Sequence, residues 1–419
     1  MAPFMHIHNV PNGDILPCCI GLGGSMGNLY ENSIEEIWNN EKYREIRKDI
    51  LNDIPSNHCT RCYKEEEWGN NHSLRKIFNK EYGNKYYELV KDTQDGVVKT
   101  MKFVKWDFRF NNLCNLACTA CHPTYSSSWV PIMKEVDSNY KEEQFVNSKI
   151  NKDKFVQTIK SQIDNVEEVY FAGGEPLLHE EHYEILNFID NENKFKNINF
   201  SYSTNLTSLK YKSINIIDYW KKMKYLRVMV SIDEVDPERL YYIRYPSELN
   251  KIIDNLRILK NNLTEHNLNF SVTPTWSLMN LHRIKNILEF FYNEDLLPHT
   301  FYNTTTWESD FHNILLFSPQ YFSIRSASPQ WKDYLRTVLK EYVVWYKDVL
   351  IPKKIDSIVK NSSIKVLDSR IDNFLNSLNE TVDGHVSFYG DYLHRLDQVR
   401  NTNFFKTFPE LEWRQCEDY

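Results

Sequence analysis

Cys114, Cys118 and Cys121 fall within eight positions of a 419-residue chain that has eight cysteines in all. They come directly after "VKWDFRF", residues 104–110, where polar and apolar residues alternate as in a strand. Three thiols on one strand-exit loop are poorly placed for disulfides, and the adjacent pair Cys18 and Cys19 is no better. The opening "MAPFMHIHNV" has no basic segment followed by an apolar core, and no apolar run nears the roughly 20 residues that cross a bilayer. A cytoplasmic chain with reduced cysteines is expected, which makes the thiols candidate metal ligands. Zinc sites usually gather four Cys or His ligands, and His122, adjacent to Cys121, is badly placed to close such a set. Iron–sulfur clusters also usually take four thiolates, so a four-iron cluster held by three leaves one iron open.

From residue 103 onward strands alternate with helices. Strands are expected near 104–110, 167–172, 198–204, 225–232 and 268–274, and at one or more places between 298 and 317. Helical patterns such as "EHYEILNFI" and "ELNKIIDNLRIL" separate them. This is α/β patterning, and six units fit a partial (β/α)6 TIM-like barrel better than a doubly wound sheet. The cysteine loop then leaves the C-terminal end of the first strand, the end that carries the chemistry in β/α barrels. Asp107 and Arg109 alternate with Phe108 and Phe110, so one of these pairs faces into the barrel; the charged pair is either a structural ion pair or a substrate contact. Beyond about 318 the sequence reads mostly as helices, as in "WKDYLRTVLKEYVVWYKDVL".

The other early cysteines, Cys18, Cys19, Cys59 and Cys62, precede a polar, turn-rich stretch, "KDTQDGVVKT" at 91–100, which marks a domain boundary. Between the two pairs runs "SIEEIWNNEKYREIRKDIL", with a capping box from Ser33 to Glu36 and apolar residues near helical spacing. A turn-rich cysteine module around one helix is expected. The domains are then 1–95, 100–318 and a helical C-terminal region, 319–419. Lys and Arg number 50 against 57 Asp and Glu, a net charge of −7, with no dense basic block. Nucleic acid is therefore not expected as a partner.

The triple Cys114-x3-Cys118-x2-Cys121, followed 52 positions later by "GGEP" (Gly173 to Pro176) at the end of the next strand, resembles the radical S-adenosylmethionine (SAM) superfamily. The resemblance implies a 4Fe-4S cluster on the three cysteines, with SAM chelated at the open iron through its amino and carboxylate groups. It sets Gly173, Gly174, Glu175 and Pro176 beside the methionine ammonium: glycines let backbone carbonyls approach, and Glu175 adds a charge-assisted acceptor. Ser203 and Asn205 in "STN", and Ser231 and Asp233 in "SID", match strand ends where the family holds the sugar and methionine. Arg244 in "YYIRY" matches a basic position near the SAM carboxylate. Two departures touch adenine recognition. Ala120 stands where most relatives carry an aromatic residue, and "VTPTW" lacks the glycine-and-glutamate pattern of the fifth strand.

"NGDILPCC" and "HCTRC", with "GNLYENSIEEIWN" between them, resemble the SPASM module or its shortened twitch form, which normally follows the barrel and here precedes it. This implies an auxiliary iron–sulfur cluster on Cys18, Cys59 and Cys62, with Cys19 or Cys416 as candidate fourth ligand; a zinc knuckle is the alternative. The implied function is reductive cleavage of SAM to methionine and a 5'-deoxyadenosyl radical, which takes hydrogen from a peptide, nucleotide or sugar-like small molecule. The implied electron donor is a flavodoxin or ferredoxin, and no membrane partner is expected. The competing reading is a non-catalytic iron–sulfur or zinc scaffold with a degenerate SAM site, motivated by Ala120.

Overall fold

Every strand expected between 104 and 274 forms inside the stretch its pattern marks. The computed structural model describes residues 1–21, 23–29, 31–67, 73–141, 157, 159–263, 268–296, 314–350, 352, 367–368, 370–382 and 390–412. In chain order the strands are β1 (His6–Asn9), β2 (Asp14–Leu16), β3 (Gly27–Asn28), β4 (Lys105–Phe108), β5 (Glu168–Phe171), β6 (Asn199–Thr204), β7 (Lys210–Tyr211), β8 (Ile214–Asn215), β9 (Tyr225–Val230), β10 (Leu268–Val272), β11 (Thr275–Trp276) and β12 (Ile314–Leu315). An eight-stranded sheet runs in the order β10-β9-β6-β5-β4-β1-β2-β3. Neighbours from β4 to β10 are parallel. The chain continues from β10 into β11, which pairs in parallel with β12, the strand expected between 298 and 317. Helices Glu180–Asn191, Leu249–Asn262 and Ile284–Asn293 connect successive strands, each burying one apolar stripe. This is the partial β/α barrel that the alternation predicts.

Side chains alternate across the sheet. Val169 and Phe171 of β5, Phe200 and Tyr202 of β6, and Leu226 and Val228 of β9 are fully buried under the helices. Phe171 meets His182 edge-on at 4.6 Å and Tyr202 meets Trp220 at 5.3 Å. The opposite face is polar, carrying Asp107, Arg109, Tyr170, Ser203 and Arg227. Asp107, Tyr170, Ser201 and Arg227 lie side by side in register.

The N-terminal segment joins this sheet directly. β1 runs parallel to β4, pairing His6 with Lys105, Ile7 with Trp106 and His8 with Asp107. The boundary stretch forms a tight turn in which Gln94 and Val97 exchange hydrogen bonds of 3.2 and 2.8 Å. Gly96 there has φ +76°, and a Cβ would stand 2.2 Å from the Arg44 carbonyl oxygen, so only glycine fits.

The single helix expected over 33–51 is corrected to two, Ile34–Trp38 and Glu41–Leu51. The capping box at Ser33 starts the first. The Asn40 side chain accepts from Tyr43 N at 3.0 Å and starts the second, while Asn39 Nδ2 donates to Val98 O at 3.1 Å. Two asparagines whose amides bond the backbone favour a cap over helix continuation. Further helices, Thr60–Glu67, Leu74–Tyr82 and Tyr87–Lys91, complete the segment. At the other end lie helices Pro329–Trp345 and Gly390–Arg400. Among the described residues no helix is long and apolar enough to cross a membrane.

Arg47 holds the N-terminal segment together. It is fully buried, donates to Pro3 O at 2.8 Å, Asn39 Oδ1 at 2.9 Å and Gly96 O at 3.2 Å, and stacks 4.5 Å over the Trp38 ring. Arg47→Ala would strand the Pro3 and Gly96 carbonyls and remove the ring contact, while Asn39 Oδ1 keeps Val98 N. The expected loss is about 3 kcal/mol, read from the urea midpoint of tryptophan fluorescence.

Candidate metal centre

The loop from Leu113 to Ser128 has no regular structure and is fixed by named bonds instead. Leu113 O accepts from Glu175 N at 2.8 Å and from His179 Nε2 at 2.9 Å. Ser126 Oγ donates to Leu116 O at 2.6 Å, Ser128 Oγ to Cys114 O at 2.7 Å and Trp129 Nε1 to Cys118 O at 2.8 Å. Ala117 N donates to Tyr245 O at 2.6 Å and Thr119 N to Ile243 O at 2.7 Å. Leu116 and Ala117 are thereby buried, which leaves the sulfurs of Cys114, Cys118 and Cys121 half-buried at the mouth of the barrel beyond β4. His122 is exposed and its Nδ1 lies 3.1 Å from Thr124 Oγ1.

Burial pushes all three thiols up. Cys121 rises to about 12, with Cys118 adding to the effect, and Cys114 rises through burial, Cys118 and Glu175. Cys118 is raised by burial and Asp233, with Arg244 and Arg400 opposing. Two donors approach the Cys114 sulfur, Leu116 N at 3.5 Å and Asn205 Nδ2 at 3.9 Å. All seven described cysteines are free thiols. Cys416 lies outside the described residues.

The "GGEP" turn packs on this loop. Gly173 and Gly174 have φ of +75° and +54°. A Cβ on Gly173 would stand 2.5 Å from Arg109 Cβ, and one on Gly174 would stand 2.4 Å from Leu113 O. Glycine is thus required by loop packing, a reason the sequence did not disclose. Glu175 is buried; its Oε1 accepts from Thr204 Oγ1 at 2.7 Å and Leu177 N at 3.1 Å, and its Oε2 from Asn205 N at 2.7 Å. Burial raises its pKa to about 6 against those donors. A carboxylate has about four lone-pair positions, so one remains open on Oε2. Pro176 heads the short turn Pro176–Leu178 that Glu175 caps.

Ser203 Oγ is engaged by Tyr170 OH at 2.6 Å on the inner face. Asn205 Nδ2 donates to Asn115 Oδ1 at 3.0 Å, which ties "STN" to the cysteine loop. Ser231 N donates to Thr204 O at 2.9 Å just beyond β9. Asp233 Oδ2 pairs with Arg244 Nη1 at 2.8 Å, and Asp233 Oδ1 accepts from Thr275 N at 2.7 Å. The Arg244 Nε is buried without a partner, and the guanidinium acts on Cys118 and Cys114. Sequence reasoning missed His179, Trp129, the Ser126–Ser128 run and Arg400; only the "SSSW" run left a visible signal, since Arg400 lies 283 positions from the Ala117 carbonyl it binds.

In the N-terminal segment Cys59 and Cys62 sit one turn apart where the short turn Asn57–Cys59 enters helix Thr60–Glu67. Cys18, just after β2, is raised by burial and then by Cys19, Cys62 and Cys59. Cys19 is raised to about 11 by burial and then Asp107, while Arg109 and Lys105 oppose. Cys18 thus lies within electrostatic reach of Cys19, Cys62 and Cys59, and Cys19 within reach of Asp107, Arg109 and Lys105. On that wall His8 Nδ1 lies 2.9 Å from Asp107 Oδ2 and Arg109 Nε 3.5 Å from Asp107 Oδ1. Burial works against an ionised Asp107; with His8 itself held neutral by burial, the Arg109 guanidinium is the cation that keeps it charged.

A β/α barrel whose cysteine loop leaves its first strand, beside a second cysteine group, defines a candidate iron–sulfur protein. Residues 108–291 match the model of the Radical SAM superfamily, and residues 1–63 match that of the SPASM iron–sulfur cluster-binding domain. The barrel thus matches the radical SAM superfamily, and a SPASM-type match lies N-terminal to it. No curated protein matches it. Among solved structures, anSMEcpe, an anaerobic sulfatase-maturating enzyme, with bound AdoMet is 16% identical at TM-score 0.41, covering 61% of this chain and 61% of that one. Streptococcus suis SuiB bound to S-adenosylmethionine is 12% identical at TM-score 0.37, covering 66% of this chain and 60% of that one. The matched part is less than two thirds of each of these proteins.

These two matches imply a 4Fe-4S cluster, SAM and an auxiliary iron–sulfur cluster. Among the described residues no three Cys, His, Asp or Glu side chains are arranged around a single metal ion. The donor set nevertheless suits a cluster. Buried thiols with raised pKa values ionise only when a metal displaces their protons, N–H donors already approach the Cys114 sulfur, and the orphaned Arg244 Nε awaits an acceptor. Glu175→Gln would set an amide N–H against the Asn205 or Leu177 backbone donor. A loss of about 1–3 kcal/mol is expected in thermal unfolding, with weaker retention of iron in the Cys114–Cys121 loop.

Proposed function

We propose that this protein is a radical SAM enzyme in which Cys114, Cys118 and Cys121 hold the 4Fe-4S cluster, and Cys18, Cys59 and Cys62 the auxiliary one. The observation that carries this is the lock between the cysteine loop and the "GGEP" turn at the Leu113 carbonyl, with the loop also bonded to the Ile243 and Tyr245 carbonyls on either side of Arg244. When bound, the cluster and SAM supply one-electron cleavage of the sulfonium to methionine and a 5'-deoxyadenosyl radical, which takes a hydrogen atom from substrate.

The chain's own residues hold and orient. Arg244, kept in place by Asp233, presents a guanidinium to the SAM carboxylate. Glu175 keeps one acceptor position on Oε2 for the methionine ammonium, and Gly173 and Gly174 keep the turn close enough to offer it. Asn205 bridges this turn to the cysteine loop. Substrate, in this reading, enters against the inner wall, which carries the Asp107–Arg109 ion pair and the bonded hydroxyls of Tyr170 and Ser203. So polar a wall suits a peptide, nucleotide or sugar-like molecule better than a hydrocarbon, because buried donors want acceptors.

The deciding experiment is anaerobic reconstitution followed by dithionite and SAM, with 5'-deoxyadenosine measured. Wild type is expected to form it and Cys114→Ala is not; full iron loading without product in wild type would favour a non-catalytic scaffold. Arg244→Gln is expected to weaken SAM binding about tenfold or more, read by equilibrium dialysis on the reconstituted protein. The triple variant Cys114→Ala, Cys118→Ala, Cys121→Ala is expected to retain iron on the N-terminal segment, measured by iron and sulfide analysis.

A further inference from the structure

Helix Gly390–Arg400 lies outside both stretches that match a family model, yet it ends against the cysteine loop. Its Leu396 packs with Ala117, Trp129, Ile132 and Val136. The next turn delivers Arg400, only 2% exposed. Arg400 Nη2 donates to Ala117 O at 2.7 Å and Nη1 to Thr119 Oγ1 at 3.4 Å. The guanidinium carbon lies 4.4 Å over the Trp129 ring and 5.0 Å over the Tyr245 ring. Two residues of the loop between Cys114 and Cys121 are thus held by one side chain.

The charge is as notable as the bonds. A buried guanidinium normally pairs with a carboxylate, since an unpaired buried cation is costly. Among the described residues no Asp or Glu forms an ion pair with Arg400, and its Nε is buried without a partner. The nearby Asp397 is taken by Thr402 Oγ1 and Phe404 N, both at 2.7 Å. Ala117 and Thr119 are the two neighbours of Cys118, so the guanidinium is seated beside that residue, whose flanks are also bonded to the carbonyls on either side of Arg244.

We propose that Arg400 is a positioning residue for the cluster: it fixes the loop through Ala117 and Thr119 and sets a permanent positive charge beside Cys118 that favours the reduced state. The inference rests on the reading that Cys118 ligates the SAM-binding cluster. A reduced cluster carries one more negative charge than the oxidised one, and net charge and hydrogen bonding around the sulfurs set its potential. The C-terminal helix is then part of the redox site.

The test is potentiometric titration of the full, reconstituted chain, following the electron paramagnetic resonance signal that changes when SAM is added. Arg400→Gln is expected to keep its iron and shift the midpoint to more negative potential, while Arg400→Lys, which keeps the charge without the fork, stays near wild type. If glutamine yields insoluble protein, Arg400→Met keeps the stem between Trp129 and Tyr245 and makes the same comparison. A neutral variant that titrates at the wild-type midpoint, or lysine and neutral variants that shift alike, would overturn the proposal. So would neutral variants that fail to fold while lysine folds with a shifted midpoint, since that assigns the residue to structure alone. A wild-type protein with no SAM-responsive signal would instead sink the functional reading, and this inference with it.

Discussion

One carbonyl oxygen organises the mouth of the barrel. Leu113 O sits at the start of the cysteine loop and receives Glu175 N and the buried His179 ring. Burial lowers the His179 pKa to about 4, so the ring is neutral and donates through Nε2. The Gly174 backbone comes so near that no Cβ would fit. Through this contact the turn after β5 fixes the loop after β4, and Glu175, bonded to Thr204 and Asn205, carries the constraint on to the end of β6. Three consecutive strand ends are thereby held at one level. A loop with no helix or ladder of its own can present three sulfurs only if its neighbours supply such anchors.

Charge is distributed to suit that arrangement. Burying three thiols opposes their ionisation, and two guanidiniums, Arg244 and Arg400, stand against Cys118 from different parts of the chain. Arg244 is shared with Asp233, which also caps Thr275 N at the start of β11, so the fourth strand end is tied to the fifth. Along the inner wall a second group, His8, Asp107 and Arg109, forms where β1 lies against β4.

That pairing changes what the N-terminal segment is. Composition sets it apart as a module before a turn-rich boundary, but β1 extends the barrel sheet and brings His6 and His8 beside Lys105 and Asp107. It also sets Cys19 within electrostatic reach of Asp107 and Arg109, while Cys18 feels Cys19, Cys62 and Cys59.

What the sequence determined by itself was whatever depends on local pattern: the strands from β4 to β10, the capping box at Ser33, the cysteine spacing and the "GGEP" turn. Each is encoded within a dozen residues, so periodicity and turn chemistry are enough to read it. The break of the expected helix at Asn39 and Asn40 was less legible, because both asparagines also suit a helix surface and the bond from Asn39 to Val98 is long-range. Tertiary structure alone decided the joining of β1 to β4, the loop packing that demands glycine at 173 and 174, and the arrival of Arg400 at the cysteine loop. These rest on contacts between residues from about 60 to nearly 300 positions apart, where no local period carries a signal and only the folded chain brings the partners together.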